Sequence, residues 1–106
     1  MTTVQSIFDR MPATFLKEKA IGMNAVIQFD ITGDGGGQWY AAIVSGELTV
    51  AEGRHKSPQL TLTAAADDYI DISTGKLSDQ LAFMTGKIKA TGNLGLAVKM
   101  NSIFTR

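Results

Sequence analysis

The apolar positions of this chain change their period several times along its length, and each change marks an element. Val4, Ile7, Phe8 and Met11 recur at i, i+3, i+4 and i+7, one face of a helix, with Thr2 or Thr3 available to cap its first turn. Pro12 breaks that stripe and suits the first turn of a second, short helix, which turns Phe15, Leu16 and Ala20 inward and stops at Gly22. The period then falls to two. Ala25, Ile27, Phe29 and Ile31 alternate with Val26, Gln28, Asp30 and Thr32, which predicts a half-buried strand over 24–33. The glycine-rich link 33–37 leads into Gln38–Val44 as a second strand, and Ser45-Gly46 turns the chain into a third over Glu47–Val50. Past the polar stretch from Gly53 to Pro58, Leu60 and Leu62 share one face of a fourth strand, 59–63.

Helical character returns at Ala64. Asp67 and Asp68 stand in a first turn, where carboxylates favour the positive end of the helix dipole, and Gly75 stops that helix. Ser78 caps a short helix holding Leu81, Ala82, Phe83 and Met84, which Gly86 ends. Lys87–Ala90 alternates as a last strand, and Asn93 caps a closing helix. That helix carries Leu94, Ala97, Val98 and Phe104 near one stripe, with Leu96, Met100 and Ile103 beside it. Three links of hairpin type imply a largely antiparallel sheet, and the helices must cover one of its faces. The predicted class is α+β: two layers, a five-stranded and mainly antiparallel sheet covered by about five helices.

Composition narrows the function more than it alters this layout. With 106 residues the chain has the length of one domain, 1–106, with one real core. Its 44% apolar and 19% charged residues are ordinary for a globular protein, and no apolar run approaches the ~18 residues that cross a bilayer. The first residues, MTTVQSIFDRMP, lack the basic start and apolar stretch of a secretory leader, so a cytoplasmic location is expected. Without cysteine, no disulfide, thiolate chemistry or thiolate metal site is available. Zero formal charge argues against a nucleic-acid binder. The charge is unevenly spread, however: 76–106 holds Lys76, Lys87, Lys89, Lys99 and Arg106 against Asp79 alone. Such a third is either an ordinary solvated face or a means of attracting an anionic ligand or a transient contact with an anionic membrane surface.

The stretch GKLSDQLAFMTGKIKATGN, 75–93, suggests a phosphate cradle through its two Gly-Lys pairs, and both fail. A P-loop needs glycine five residues before the Gly-Lys and Ser or Thr directly after it. Leu81 and Ile88 hold those places around Gly86-Lys87, and Ile70 and Leu77 hold them around Gly75-Lys76. Glycines 33–37 fail as a dinucleotide fingerprint because Gln38 occupies the last glycine position. His55, the one histidine, sits in a polar link, and Ile43 stands where a G-x-S-x-G elbow around Ser45 needs glycine. These residues offer no catalytic group, cofactor or metal site. What remains is apolar: Met11, Met23, Met84 and Met100 are spread over the elements, as flexible filler of a core or of an adaptable pocket. Gln80 stands between Leu77 and Leu81-Ala82-Phe83-Met84, either facing solvent or as a polar point in an apolar cavity.

The combination FDITG…GGQWY, the strand LTLTA, and then DDYIDISTGKLSDQLAFMTGKIKATGNLGLAVKM resembles the sterol carrier protein 2 domain, also called the nonspecific lipid-transfer domain. The resemblance spans the whole chain and is most specific over 75–100. It implies a hydrophobic tunnel between sheet and helices, and noncatalytic binding or transfer of fatty acids, fatty acyl-CoA, sterols and similar lipids. The tunnel wall implied here consists of Phe29, Ile31, Trp39 and Ile43 on the strands, and of Gln80, Phe83, Met84, Leu96, Met100, Ile103 and Phe104 on the helices. An accessory subunit presenting a lipid intermediate, such as a polyprenyl quinone precursor, to biosynthetic enzymes is the alternative. The chain ends Ile103-Phe104-Thr105-Arg106, so the peroxisomal signal of many eukaryotic members is not expected.

Overall fold

The computed structural model describes residues 2–104; Met1, Thr105 and Arg106, the last of them one of the C-terminal cations noted above, lie outside the described residues. The first helix, α1, spans Val4–Thr14 and opens on a capping box. Thr3 Oγ1 accepts from the Ser6 amide at 3.1 Å while Ser6 Oγ accepts from the Thr3 amide at 3.0 Å, satisfying two donors that the helix start leaves over. Pro12 does not break this helix, contrary to the expectation from its stripe. A proline this close to the C-terminal end removes only one N–H from the ladder, and the chain simply continues to Thr14. The predicted second helix is therefore reduced to a 3₁₀ turn, Lys17–Lys19, leaving four α-helices among the described residues. Phe15 and Leu16 are extended instead, in a bridge to Phe104, with the Leu16 amide donating to the Ile103 carbonyl at 2.7 Å.

Five strands follow the predicted positions: β1 Ala25–Thr32, β2 Gly37–Val44, β3 Glu47–Glu52, β4 Leu60–Ala65 and β5 Ile88–Gly92. Their order in the sheet is β3-β2-β1-β4-β5. Helices α2 (Ala66–Ser73) and α3 (Asp79–Met84) lie between β4 and β5 in the chain, and α4 (Leu94–Ile103) closes it. Ser78 and Asn93 cap α3 and α4 through their side chains, as their positions predict. Three pairings are antiparallel, but β4 lies parallel to β1, with Phe29 opposite Leu62. The sheet is thus mixed, and the link 53–59 is a crossover and not a hairpin.

Gln28 shows how that crossover is held. It alternates with Phe29 and so points to the outer face, yet it is fully buried. Its Oε1 accepts from the His55 amide at 2.8 Å, and its Nε2 donates to the carbonyls of Gly53 and Trp39, each at 3.1 Å. Gln59 adds a second fastening, its Oε1 accepting from the Val26 amide at 2.6 Å. The crossover thereby lies flat over the outer face, with the His55 ring edge-on to Tyr40.

The inner face carries Ile27, Phe29, Ile31, Trp39, Ala41, Leu60, Leu62 and Ala64, buried against Val4, Phe8, Met11, Tyr69 and Leu96. A small second cluster joins Ala20, Ile43 and Ile103. Gly37 leaves room for the Trp39 indole, which a Cβ at that position would meet at 2.9 Å. Replacing Gln28 with leucine strips the His55 N–H and the Gly53 carbonyl of their partner. The expected cost is about 1–3 kcal/mol in urea unfolding, together with loss of hydrogen-exchange protection at the His55 amide; retained protection there would contradict this role for Gln28.

Candidate functional site

A cavity of about 980 Å³ lies between the helices and the inner face of β1, β4 and β5. Phe29, Leu62 and Ile88 supply its sheet side, one from each strand. Helix α1 contributes Ile7, Arg10, Met11, Ala13 and Thr14, a run with the 3–4 residue spacing of one helix face. Tyr69, Ile72 and Ser73 come from α2, Asp79, Gln80 and Phe83 from α3, and Ala97, Val98 and Met100 from α4, with Phe104 just beyond it. Exposure grades the wall. Met11, Phe29, Leu62, Tyr69 and Ile72 are buried and form the deep part, whereas Arg10, Ala13, Gln80, Phe83 and Val98 are exposed and mark the mouth, between α1, α3 and α4.

Of the residues singled out from the sequence, Phe29, Gln80, Phe83, Met100 and Phe104 line this cavity. The others stand elsewhere. Ile31 and Leu96 are packed into the main core, and Trp39 is stacked on Phe8 at 4.7 Å with the rings 10° from parallel. Ile43 and Ile103 belong to the small cluster with Ala20. Met84 turns to solvent with 76% of its surface exposed. Trp39 and Ile43 lie on the helix-covered face of the sheet. Both stand on β2, away from the cavity, Trp39 in the main core and Ile43 in the small cluster. Gln80 lines the cavity and is exposed at its mouth.

The α1 residues, Leu62, Tyr69, Ile72 and Ile88 were not singled out. The stripe that predicted α1 already contains Ile7 and Met11, and the alternation of β4 already contains Leu62. Periodicity reports that a side chain turns inward; it does not report whether the space it meets is filled.

Few polar groups interrupt the apolar wall. Arg10 makes no ion pair among the described residues and leaves its guanidinium available at the mouth. The Tyr69 phenol is pushed well above its ordinary value, chiefly by burial and further by the nearby Asp79 carboxylate, so it remains a neutral hydroxyl. Wall groups of this kind can accept an apolar chain and orient one polar end. No histidine lines the cavity.

The architecture is two-layer α+β, with a largely apolar cavity between the sheet and the helices. The model of the SCP-2 sterol transfer family matches residues 5–105, and the chain belongs to that family, whose domains bind and transfer lipids. It is 31% identical over 97% of its length to hydroxysteroid dehydrogenase-like protein 2 of Mus musculus, of which it covers 21%. It is 34% identical over 80% of its length to sterol carrier protein 2 of Homo sapiens, covering 16% of that protein. The chain thus spans about a fifth of the length of these curated relatives. The solution structure of palmitated SCP2L2 from Aedes aegypti superposes with a TM-score of 0.75 at 29% identity, covering 93% of this chain and 91% of that one.

The displaced titration of Tyr69 has a measurable sign. Because the folded state holds the phenol proton more tightly than the unfolded chain does, this group's share of stability is complete below pH ~10 and is lost as pH rises above it. Alkaline difference spectra of the native protein and its Tyr69→Phe variant should show no Tyr69 phenolate at pH ~11, where a free tyrosine is mostly ionised. Ionisation of Tyr69 near pH ~10 in the native protein would contradict its burial.

Proposed function

We propose that this domain is a noncatalytic lipid carrier that houses one ligand between its sheet and its helices, with fatty acids, fatty acyl-CoA and sterols as the ligand classes. The observation that carries the reading is the cavity itself. Its volume, about 980 Å³, is at the upper end of the range usual for small-molecule sites, about 300–1,000 Å³. Its deep wall is made of Met11, Phe29, Leu62 and Ile72, whose burial of an apolar tail brings about 25 cal/mol per Å² without demanding a particular shape. The ligand's polar end lies at the mouth, within reach of Arg10 and Gln80. Palmitate on the related Aedes protein supports an acyl chain as one ligand. His55, the one histidine, is held over the outer face of the sheet, which supports a carrier without chemistry of its own. Nothing at the site favours the accessory-subunit alternative.

Displacement of a fluorescent fatty-acid analogue tests the reading. The protein is expected to bind the analogue in the micromolar range and to release it to competing fatty acid, acyl-CoA or sterol. Met100→Lys, which places an ammonium on the cavity wall, should weaken binding about tenfold or more while the far-ultraviolet circular dichroism is unchanged. Unaltered affinity in a folded Met100→Lys protein would remove that residue from the binding wall. Failure of the unmodified protein to bind any of the three classes would end the carrier reading.

A further inference from the structure

The cavity wall is not uniformly apolar. Its sheet side, Phe29, Leu62 and Ile88, offers no hydrogen-bonding side chain. The polar groups fall in two places. Arg10 and Gln80 stand exposed at the mouth. Tyr69 and Ser73 of α2 and Asp79 at the start of α3 form a second group, and none of the three is exposed. Tyr69 and Ser73 are one helical turn apart and so share a face of α2. Thr14 also lines the cavity, but its hydroxyl already donates to the Met11 carbonyl at 3.0 Å.

Tyr69 is the most enclosed of the second group, with 7% of its surface exposed. Its ring is held by the stack on Phe8 at 5.5 Å. Its hydroxyl makes no hydrogen bond among the described residues, yet the oxygen is not one of the atoms that the packing seals off from solvent. A tyrosine hydroxyl in an apolar wall ordinarily has a partner. Here the side chain borders the cavity, so the partner has to come from whatever fills it. A plain hydrocarbon tail would strip this hydroxyl of water and return no hydrogen bond. A tail bearing a hydroxyl returns one, because a hydroxyl both accepts and donates. It can accept from Tyr69 and donate to the carboxylate of Asp79, which lies close enough to act on the Tyr69 phenol.

We propose that the cavity selects acyl chains carrying a hydroxyl within the chain, and that Tyr69 is the specificity-determining residue that recognises it. Two separate polar places in one apolar cavity suit a ligand with two separate polar groups: a head group at Arg10 and Gln80, and a hydroxyl farther in at Tyr69. An unsubstituted fatty acid has only the first. A wall that hydrogen-bonds a ligand hydroxyl rejects the analogue lacking it more sharply than an apolar wall sorts ligands by size. The inference rests on the carrier reading and names the ligand class preferred within it.

Competition against a fluorescent fatty-acid analogue tests it, with palmitate and a series of hydroxypalmitates whose hydroxyl is moved stepwise along the chain. One position in the series is expected to bind about tenfold more tightly than palmitate, the worth of one well-placed hydrogen bond. Tyr69→Phe keeps the ring that stacks on Phe8 and removes only the oxygen. In that variant the preferred hydroxypalmitate should lose its advantage, while palmitate should bind a few times more tightly because no hydroxyl is left without a partner. The two shifts have opposite signs, which a general loosening of the fold would not produce. In the native protein, nuclear Overhauser contacts should link the labelled carbinol carbon's proton to the Tyr69 ring. A series in which no member outbinds palmitate would overturn the proposal, as would a preference that survives Tyr69→Phe or a carbinol proton without contact to Tyr69. If palmitate and the hydroxypalmitates all fail to bind, the carrier reading falls and this inference with it; if palmitate binds and the preference is absent, this inference alone is lost.

Discussion

Phe8 is the side chain through which the helical layer is fastened to the sheet. Its ring lies parallel to Trp39 of β2 at 4.7 Å and to Tyr69 of α2 at 5.5 Å, and meets Phe29 of β1 edge-on at 5.0 Å. Each such pair contributes about 0.5–1.5 kcal/mol beyond the area it buries. Together they join two strands and two helices at one point. Two members of the group, Phe29 and Tyr69, also line the cavity, so the packing that holds the layers together is at the same time the cavity's deep end. Beyond that cluster the cavity lies between the sheet and helices α1–α4.

The sheet divides its labour by face. On the outer side, Gln28 and Gln59 pin the crossover that lets β4 lie parallel to β1. That placement brings Leu62 alongside Phe29 and lets β5 continue the inner wall with Ile88. If β4 had followed β3 as a hairpin, β4 and β5 would extend the other edge and leave the helices α2–α4 no sheet next to β1 to cover. A buried glutamine on the outer face thus fastens the crossover that accompanies this pairing. The short helices α3 and α4 complete the wall with faces that are only partly buried, which is why apolar side chains reach solvent there.

Most of the element layout is legible from local chemistry: the i, i+3, i+4 stripe of α1, the alternation of β1, and the side-chain caps Ser78 and Asn93. The parallel pairing is not, because the link from Gly53 to Gln59 has the polarity of a hairpin loop and the information lies in Gln28, a polar residue at a position that alternation marks as outward. Pro12 lies inside α1, and the helix runs on past it to end at Thr14. For the site, Phe29, Gln80, Phe83, Met100 and Phe104 reach the cavity, whereas Trp39, Ile31, Ile43, Leu96 and Ile103 are packed and Met84 is outside. Inward facing is a property of a strand or helix and can be read along the chain. Whether an inward side chain meets a neighbour or an empty volume depends on the distance between layers, which only the assembled fold sets.

The central claim, that the ligand lies inside between the two layers, is tested most directly by isotope-filtered nuclear Overhauser spectroscopy of the protein with carbon-labelled palmitate. Contacts from the acyl chain to the methyl groups of Leu62, Ile72 and Ile88 are predicted, together with contacts to the Phe29 ring. Contacts confined to exposed rim residues such as Met84 and Leu94, with none to the deep wall, would contradict it.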